Sequence, residues 1–315
     1  MEKKFTWSSN PEPHDYRRKK IIEAHPEIKK LMGYDYRSKY ICILLVASQT
    51  FLALIVPNLD WFRYIIVSYV IGATLTQALF LAIHELSHNL FFQNCNYNRY
   101  FSLFVNGPIV VPFSIAFKEY HIQHHKFQGT DGVDTDIPSS FEVKLFQGPI
   151  LKVIWLSFQI VAYAIRPLAV KSISITRFYI LNFITQAMFN IILYHYGGIR
   201  SFYYLVVCIL MAGGIHPCAG HFISEHYQPY KGCTQETFSY YGILNNLTWN
   251  VGYHNEHHDF PYIPGSRLPK LNNIANEFYD NLEVCDSWTK IFYKYIFYEY
   301  MGPHCRIKRK LLNKN

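Results

Sequence analysis

Long apolar stretches divide this chain, and each of three histidine clusters lies beside one of them. Residues 41–57 and 61–83 approach the length of about 20 residues that a helix needs to cross the hydrocarbon core of a bilayer. The turn residues Pro57–Asp60 join them, which predicts a helical hairpin with a very short outer loop. The chain is therefore expected in a membrane, where the backbone satisfies its own hydrogen bonds by forming helices.

The three clusters, which we call histidine boxes one to three, share a helical spacing. They are His84-Glu-Leu-Ser-His88, His121-Ile-Gln-His124-His125 and His254-Asn-Glu-His257-His258. Positions i and i+4 lie about 40° apart on a helix and i+3 shares their face, so each box is expected to direct all its imidazoles at one point. Eight histidines exceed the three or four ligands of a zinc site, which predicts two metal ions. Imidazole alone does not identify the metal.

The boxes can form one site only on the same side of the membrane, which requires an even number of crossings between them. We therefore predict four spans, at about 41–57, 61–83, 178–195 and 202–222. Two more apolar stretches are assigned to the interface, because glycine and proline interrupt residues 101–117 and because residues 146–170 contain Lys152, Arg166 and Pro167. A fifth span at 146–170 would place the third box on the wrong side.

The basic residues indicate the orientation. The loop at 171–177 contains the basic residues Lys171 and Arg177 and is predicted to face the cytosol. The outer loops 57–60 and 195–201 together contain a single basic residue, Arg200. This pattern accounts for the formal net charge of +8 without a nucleic-acid partner. The predicted fold is an all-α integral membrane protein with about four transmembrane helices and a cytosolic helical cap that carries a histidine-rich di-metal site. Residues 1–39 form a cytosolic N-terminal arm, and residues 40–315 form the membrane domain.

A further group of histidines, His216, His221 and His226, precedes the third box. Their spacing of five places neighbours about 140° apart, so all three cannot face one metal from a regular helix. We predict His226, and after it His221, as additional ligands, and we treat His216 as structural because Pro217 follows it. The predicted metal ligands are therefore His84, His88, His121, His124, His125, His221, His226, His254, His257 and His258.

Other polar residues near the boxes are expected to support the site. Carboxylates commonly accept the second N–H of a metal-bound imidazole, and the candidates are Glu85, Glu119, Glu225, Glu256 and Asp259. The Asp-rich loop at 131–136 is expected to orient the second box. The remaining histidines are expected to be structural or solvated, namely His14, His25, His195 and His304.

Two other classes of protein stay open at this point. The first box matches the H-E-x-x-H motif of zinc proteases, in which His84 and His88 would bind zinc and Glu85 would act as the general base. An intramembrane protease needs only one more ligand, so this alternative leaves the six boxed histidines outside the first box unexplained. A non-catalytic lipid-binding protein with degenerate sites is the other alternative, and the intact boxes argue against it.

The pattern H-x-x-x-H, H-x-x-H-H, H-x-x-H-H between apolar stretches resembles the membrane fatty-acid desaturase and hydroxylase superfamily. Other segments resemble the sphingolipid Δ4-desaturase family more closely. In the N-terminal arm these are Phe5-Thr-Trp7 and Pro13-His14-x-x-Arg17-Arg18, and around the third box the similarity runs from Trp249 to Pro261. The chain departs from many animal members in beginning Met-Glu rather than Met-Gly, so the signal for N-myristoylation is missing.

The resemblance implies two iron ions, O₂ as co-substrate, and electrons that pass from NADH through a reductase to cytochrome b5. It further implies a multi-pass protein of the endoplasmic reticulum membrane, with the active site facing the cytosol. The implied reaction introduces a trans Δ4 double bond into the long-chain base of dihydroceramide to give ceramide. Hydroxylation at C4 of dihydroceramide or sphinganine, alone or alongside desaturation, stays open, because the outcome depends on how the substrate is placed to within about 0.5 Å.

Overall fold

The computed structural model describes residues 4–170 and 175–311, and these residues are mostly helical. The helices are α1 His14–Ala24, α2 Ser38–Ile55, α3 Trp61–Val67, α4 Ala73–Ser87, α5 Cys95–Asn106, α6 Ser114–Lys126, α7 Ser140–Leu145, α8 Gly148–Val170, α9 Arg177–Ala212, α10 His221–Ser224, α11 His254–Asp259, α12 Leu268–Ile274 and α13 Trp288–Phe297. Short 3₁₀ turns cover Pro26–Leu31, Val56–Asn58, Gly107–Ile109, Pro217–Gly220, Ile243–Leu247, Gly265–Arg267 and Asn276–Phe278.

A pair of two-residue strands is the exception to the predicted all-helical fold. Strand β1, Thr6–Trp7, pairs in parallel with β2, Ile307–Lys308, so the N-terminal arm and the C-terminal segment are joined. Arg306, Lys308 and Arg309 of the C-terminal segment are consequently buried. Lys308 donates to Asp131 at 2.6 Å, and Arg309 forms an ion pair with Glu236.

Three described helical segments are long and apolar enough to cross a membrane, and up to five are if each of two bent helix pairs counts as one span. Two of them, Ser38–Asn58 and Trp61–Ser87, form the expected hairpin. The side chain of Asp60 caps α3 by accepting from the backbone N–H of Arg63 at 3.1 Å. A π-helical turn, Ser68–Gly72, connects α3 to α4. A Cβ atom on Gly72 would lie 2.5 Å from Cys208 Sγ, so glycine allows α9 to approach closely at this turn.

Helices α5 and α6 are bent by 112° relative to each other, within the stretch predicted to be re-entrant or interfacial. Asn106 satisfies the irregular backbone at the bend, because its Oδ1 accepts from the N–H groups of Phe113 and Ser114 at 3.0 and 2.7 Å. From α9, Gln186 and Asn190 donate to the carbonyls of Gly107 and Val110, each at 3.0 Å. Non-helical backbone at membrane depth is tolerated only when protein groups supply such partners.

Helix α9 changes direction at Gly198, where φ is 65° and the backbone is not helical. Before this break, Gln186 contacts Gly107, and Gly197 lies against Leu54 near the outer end of α2. After it, Cys208 lies beside Ser68 and His216 beside Thr74, so the chain runs back along α3 and α4. The contacts thus follow two antiparallel limbs, as the predicted spans 178–195 and 202–222 require, although the crossing of a bilayer stays a prediction.

Helix α8 passes the same test of length and apolar character, although we assigned it to the interface. Its two buried cations bind groups of the cap. Lys152 donates to the carbonyl of Tyr298 at 2.8 Å, and Arg166 pairs with Glu142 at 2.6 Å and donates to the carbonyl of Asp136 at 3.2 Å. Both ends of α8 therefore contact the same side of the molecule. The neighbouring residue Lys171, part of the predicted cytosolic loop, lies outside the described residues.

The cap has its own apolar cores, which bring the third box against the membrane helices. One core packs Ile21 and Ile28 of the N-terminal arm against Phe260, which follows α11, and Leu271 of α12. Another packs Trp155 of α8 against Tyr295 of α13, with the rings stacked at 5.5 Å. The arm is therefore an integral part of the cap.

Candidate metal centre

The eight boxed histidines converge, and in the described part of the chain they form two adjacent groups of ring nitrogens together with His226. Box one lies at the end of α4, box two on α6 and box three on α11. The side chains enter the same buried space because the bend before α6 and the packing of the cap bring these helix ends together. None of the eight boxed histidines is exposed.

The first group contains five histidines whose ligand atoms all lie within 4.8 Å of one another: His84, His88, His121, His125 and His257. The Nε2 atom of His121 is 2.8 Å from that of His88 and 3.1 Å from that of His125. The Nε2 atom of His257 is 3.1 Å from that of His125. All three boxes thus contribute to one group.

The second group consists of His124, His226 and His258, also within 4.8 Å, and His254 adjoins it. The Nε2 atom of His226 is 3.1 Å from that of His124 and 2.9 Å from that of His254. The Nε2 atom of His258 is buried and has no hydrogen-bond partner among the described residues. Buried ring nitrogens normally have a partner, and a metal ion is a suitable partner for this one.

The expectation that each box directs all its imidazoles at one point is wrong. His121 and His125, an i,i+4 pair, face the first group, but His124 faces the second. In box three, His257 faces the first group and its neighbour His258 the second. Adjacent residues on a helix point about 100° apart, so a His-His pair reaches two sites, whereas an i,i+4 pair reaches one.

The nitrogen spacing and the protonation state both fit metal ions. For two nitrogens that each lie about 2.1 Å from one ion, a right angle separates them by about 3.0 Å and a tetrahedral angle by about 3.4 Å. The Nε2 contacts of 2.8 to 3.1 Å match the smaller angle, which favours a coordination number above four. Burial, and after it the neighbouring histidines, holds the pKa of His257 and of His258 well below the ordinary value. Both rings are therefore neutral, as ligands must be.

His221 lies outside both groups, which corrects its inclusion among the predicted ligands. Its Nδ1 atom is 3.0 Å from the carboxylate of Glu225, and its Nε2 atom is 2.5 Å from the amide nitrogen of Gln77. Both ring nitrogens are thus occupied by other partners. Of the two candidates, only His226 has a nitrogen in a metal group. His216 contacts Thr74 and the ring of Tyr69, in keeping with a structural role.

The predicted supporting carboxylates fall into two sets. Asp134, in the Asp-rich loop, accepts from His124 Nδ1 at 3.0 Å, and Glu225 lies 3.5 Å from His254 Nδ1. Glu85 instead accepts the backbone N–H of Gly265 at 2.9 Å, and Glu256 is bonded to Ser239 and Tyr241. Glu119 lies on α6 and is half-buried. Because Glu85 is committed to a backbone bond and both histidines of box one join three others, the zinc-protease alternative is not supported.

His14 lies near the site, although the sequence led us to expect a structural or solvated histidine there. It is 4% exposed, and its ring centroid lies 4.9 Å from that of His258. Its Nδ1 and Nε2 atoms contact Asp259 at 2.7 Å and Thr237 at 2.9 Å, so it is not free to bind metal. His25 pairs with Glu277, and His195 is exposed. The i,i+3 spacing of His14 and Arg17, which both contact Asp259, is the signal that could have identified His14.

Comparisons with known proteins agree with this geometry. The family model "Fatty acid desaturase" matches residues 59–287, and the model "Sphingolipid Delta4-desaturase (DES)" matches residues 1–37. The sphingolipid delta(4)-desaturases DES1 of Gallus gallus and Homo sapiens are each 45% identical, over 98% and 97% of this chain and 95% and 94% of their own lengths. A putative sphingolipid delta(4)-desaturase/C4-monooxygenase of Caenorhabditis elegans is 44% identical over 97% of this chain and 84% of its own length.

Proposed function

Because this chain belongs to the sphingolipid Δ4-desaturase family of fatty acid desaturases, whose members are oxidoreductases, we propose that it converts dihydroceramide to ceramide. The reaction removes one hydrogen from C4 and one from C5 of the long-chain base and leaves a trans double bond. The observation that carries the proposal is the pair of adjacent histidine groups in a chain of this family. A C–H bond at these carbons has no acidic proton, so general-base catalysis alone cannot break it.

The two groups fit two iron ions. The first would be held by the five histidines at 84, 88, 121, 125 and 257, and the second by those at 124, 226, 254 and 258. Iron with O₂ and two electrons supplies the oxidising power that protein side chains lack. The protein's own part is to hold the imidazoles in position: Asp134 accepts from His124 and itself accepts from the backbone N–H of Gly129 at 2.7 Å. Burial of the boxes keeps water away from the reacting carbons.

We further propose cytochrome b5 as the electron carrier, reduced by NADH through its reductase. The N-terminal arm presents exposed lysines on the cap, among them Lys19, Lys20, Lys29 and Lys30. A basic surface of this kind favours the approach of an acidic partner, and this effect weakens as salt is raised.

The test uses protein purified in detergent, with iron content and activity measured on the same sample. About two iron ions per chain, with conversion of dihydroceramide that requires NADH and cytochrome b5, would support the proposal. Product mass separates the loss of two hydrogens from the gain of one oxygen, which matters because one relative carries a C4-monooxygenase name. One zinc per chain and no lipid oxidation after iron is supplied would overturn it.

We also propose that the metal groups face the cytosol from the endoplasmic reticulum membrane and that α8 does not cross it. Support comes from Lys152 and Arg166, which are 14 residues or about 21 Å apart and both bind the cap. Burying two such cations in hydrocarbon would cost about 2.5–3.5 kcal/mol each.

Single cysteines at Gln147 and Ile175, which flank α8 and are exposed, test this orientation in sealed microsomes. The background carries Cys95→Ser, because Cys95 is the exposed cysteine among those described. Both sites should react with an impermeant maleimide without detergent, whereas Asn58→Cys in the outer loop should react only after detergent is added. Protection of Ile175→Cys alone would show that α8 crosses the membrane.

A further inference from the structure

The N-terminal arm contacts the third histidine box through one buried carboxylate. Arg17 donates two hydrogen bonds to the carboxylate of Asp259, from Nε at 2.6 Å and from Nη2 at 3.0 Å. The same Nη2 donates to Asn255 at 3.0 Å, and His14 adds a third contact to Asp259 at 2.7 Å. Asp259 is fully buried and follows His258 directly. The arm therefore fixes both ends of the short helix that carries box three.

The ring of His258 contacts an imidazole of the arm as well as those of the boxes. The centroid of the His14 ring lies 4.9 Å away with a tilt of 38°, and His125 is stacked at 4.1 Å with a tilt of 22°. His125 belongs to the first metal group and His258 to the second. Ring contacts thus lead from the arm to both groups, and the His14 ring restricts the space in which the His258 ring can rotate.

The position of the arm does not depend on charge contacts alone. Ile21 and Ile28 are fully buried against the residues that follow box three, and Gly33 donates its N–H to Tyr262 at 2.9 Å. The arm also reaches the end of box one, because Asp35 donates its N–H to the carbonyl of Leu90 at 2.7 Å. These contacts make a rigid frame around the histidines, which a flexible tether would not provide.

We propose that the arm, through His14 and Arg17, is a positioning element for the second metal group. Arg17 and His14 hold Asp259 and the His258 ring so that the unpaired Nε2 atom of His258 stays directed at the metal. Neither residue is a ligand, since both His14 nitrogens have other partners and the Arg17 guanidinium stays protonated and has no acceptor. This role rests on the proposed two-iron function. It extends that proposal by giving a function to residues 1–37, the segment that the sphingolipid family model matches.

The test compares Arg17→Gln with Arg18→Gln, which removes the same charge one residue away. Arg18 pairs with the half-exposed Asp15 rather than with box three. Loss of a group that orients a metal ligand typically weakens metal binding about 10- to 100-fold. Iron release from full-length, detergent-purified protein to the chelator ferrozine should therefore become biphasic in Arg17→Gln, with about half the iron leaving 10- to 100-fold faster. Arg18→Gln should match the wild type.

Two more variants separate positioning from misfolding. Arg17→Lys keeps one donor to Asp259 and should restore part of the slow release. His14→Gln keeps a donor but removes the ring against His258, and it should also speed release of the second iron. Unchanged release in Arg17→Gln, or equal acceleration in Arg18→Gln, would overturn the proposal. A wild-type protein with less than one iron per chain would instead overturn the proposed function.

Discussion

Replacing His226 should remove one of the two metal ions, whereas replacing the nearby His221 should leave both in place. The two residues lie five positions apart, and both are buried, at 6% and 4% exposed. His226 Nε2 lies within 3.1 Å of two other imidazole nitrogens, those of His124 and His254. His221 is turned towards Glu225 and Gln77. The pair therefore separates ligation from structural support.

The expected magnitudes differ in kind. His226→Ala removes one of the four nitrogens proposed to hold the second iron, so bound iron should fall from about two ions to about one per chain. His221→Ala leaves those four nitrogens in place but removes the hydrogen-bond partner of the Gln77 amide nitrogen, which is fully buried. An unsatisfied buried polar group costs about 1–3 kcal/mol, so this variant should unfold at a lower temperature while keeping its iron. Both changes delete the same side-chain volume, which makes each the control for the other.

The assay is elemental analysis of iron per chain and thermal unfolding, on both variants purified in the same detergent. Desaturation of dihydroceramide is then measured after iron is supplied in excess. His226→Ala should stay inactive, and His221→Ala should retain activity below its unfolding temperature. Full iron content in His226→Ala, or a selective loss of iron from His221→Ala, would refute the assignment of the second group.

Three further outcomes are expected. Asp134→Asn should weaken iron binding about 10- to 100-fold in an equilibrium titration, while Asp131→Asn in the same loop should not, because Asp134 contacts His124 and Asp131 instead pairs with Lys308. Glu85→Gln should keep desaturation within a few-fold, since an amide oxygen still accepts from Gly265; complete loss would revive a general-base role. Burial raises the pKa of Glu142, but Arg166 outweighs it, so the folded-state pKa is lowered. The ionised Glu142 carboxylate stabilises the fold above its ordinary pKa, and this stabilisation is lost as pH falls through the lowered folded-state pKa. Wild type and Glu142→Gln should therefore differ in melting temperature at pH 7 and converge on acidification.

Helical periodicity predicted which residues meet at the centre but not how they divide between two groups. A box such as His121-x-x-His124-His125 presents one face only if its imidazoles share a target. When two targets exist, the 100° step between neighbours matters more than the 40° between i and i+4. The division therefore depends on where the other two boxes lie, which no local pattern contains.

Supporting contacts were harder to predict because their partners are distant in sequence. The bond between His14 and Asp259 joins residues 245 positions apart, and Glu85 accepts from a residue 180 positions away. Proximity to a box suggested Glu85 and Glu256 as partners of ligating imidazoles, yet both bond elsewhere. Asp134 was easier, because the loop that contains it follows box two directly and returns its carboxylate to His124.

The interface assignment of α8 shows what apolar character alone cannot decide. By length and composition the helix qualifies as a span, and its apolar face is widely exposed. Its sidedness depends on two cations and on what binds them: Lys152 meets carbonyls near residue 298, and Arg166 meets Glu142. In the proposed orientation the cap lies on one side of the membrane, so a crossing helix would have to give up one of these contacts. On this ground we propose that α8 lies along the cap with its apolar face free for lipid.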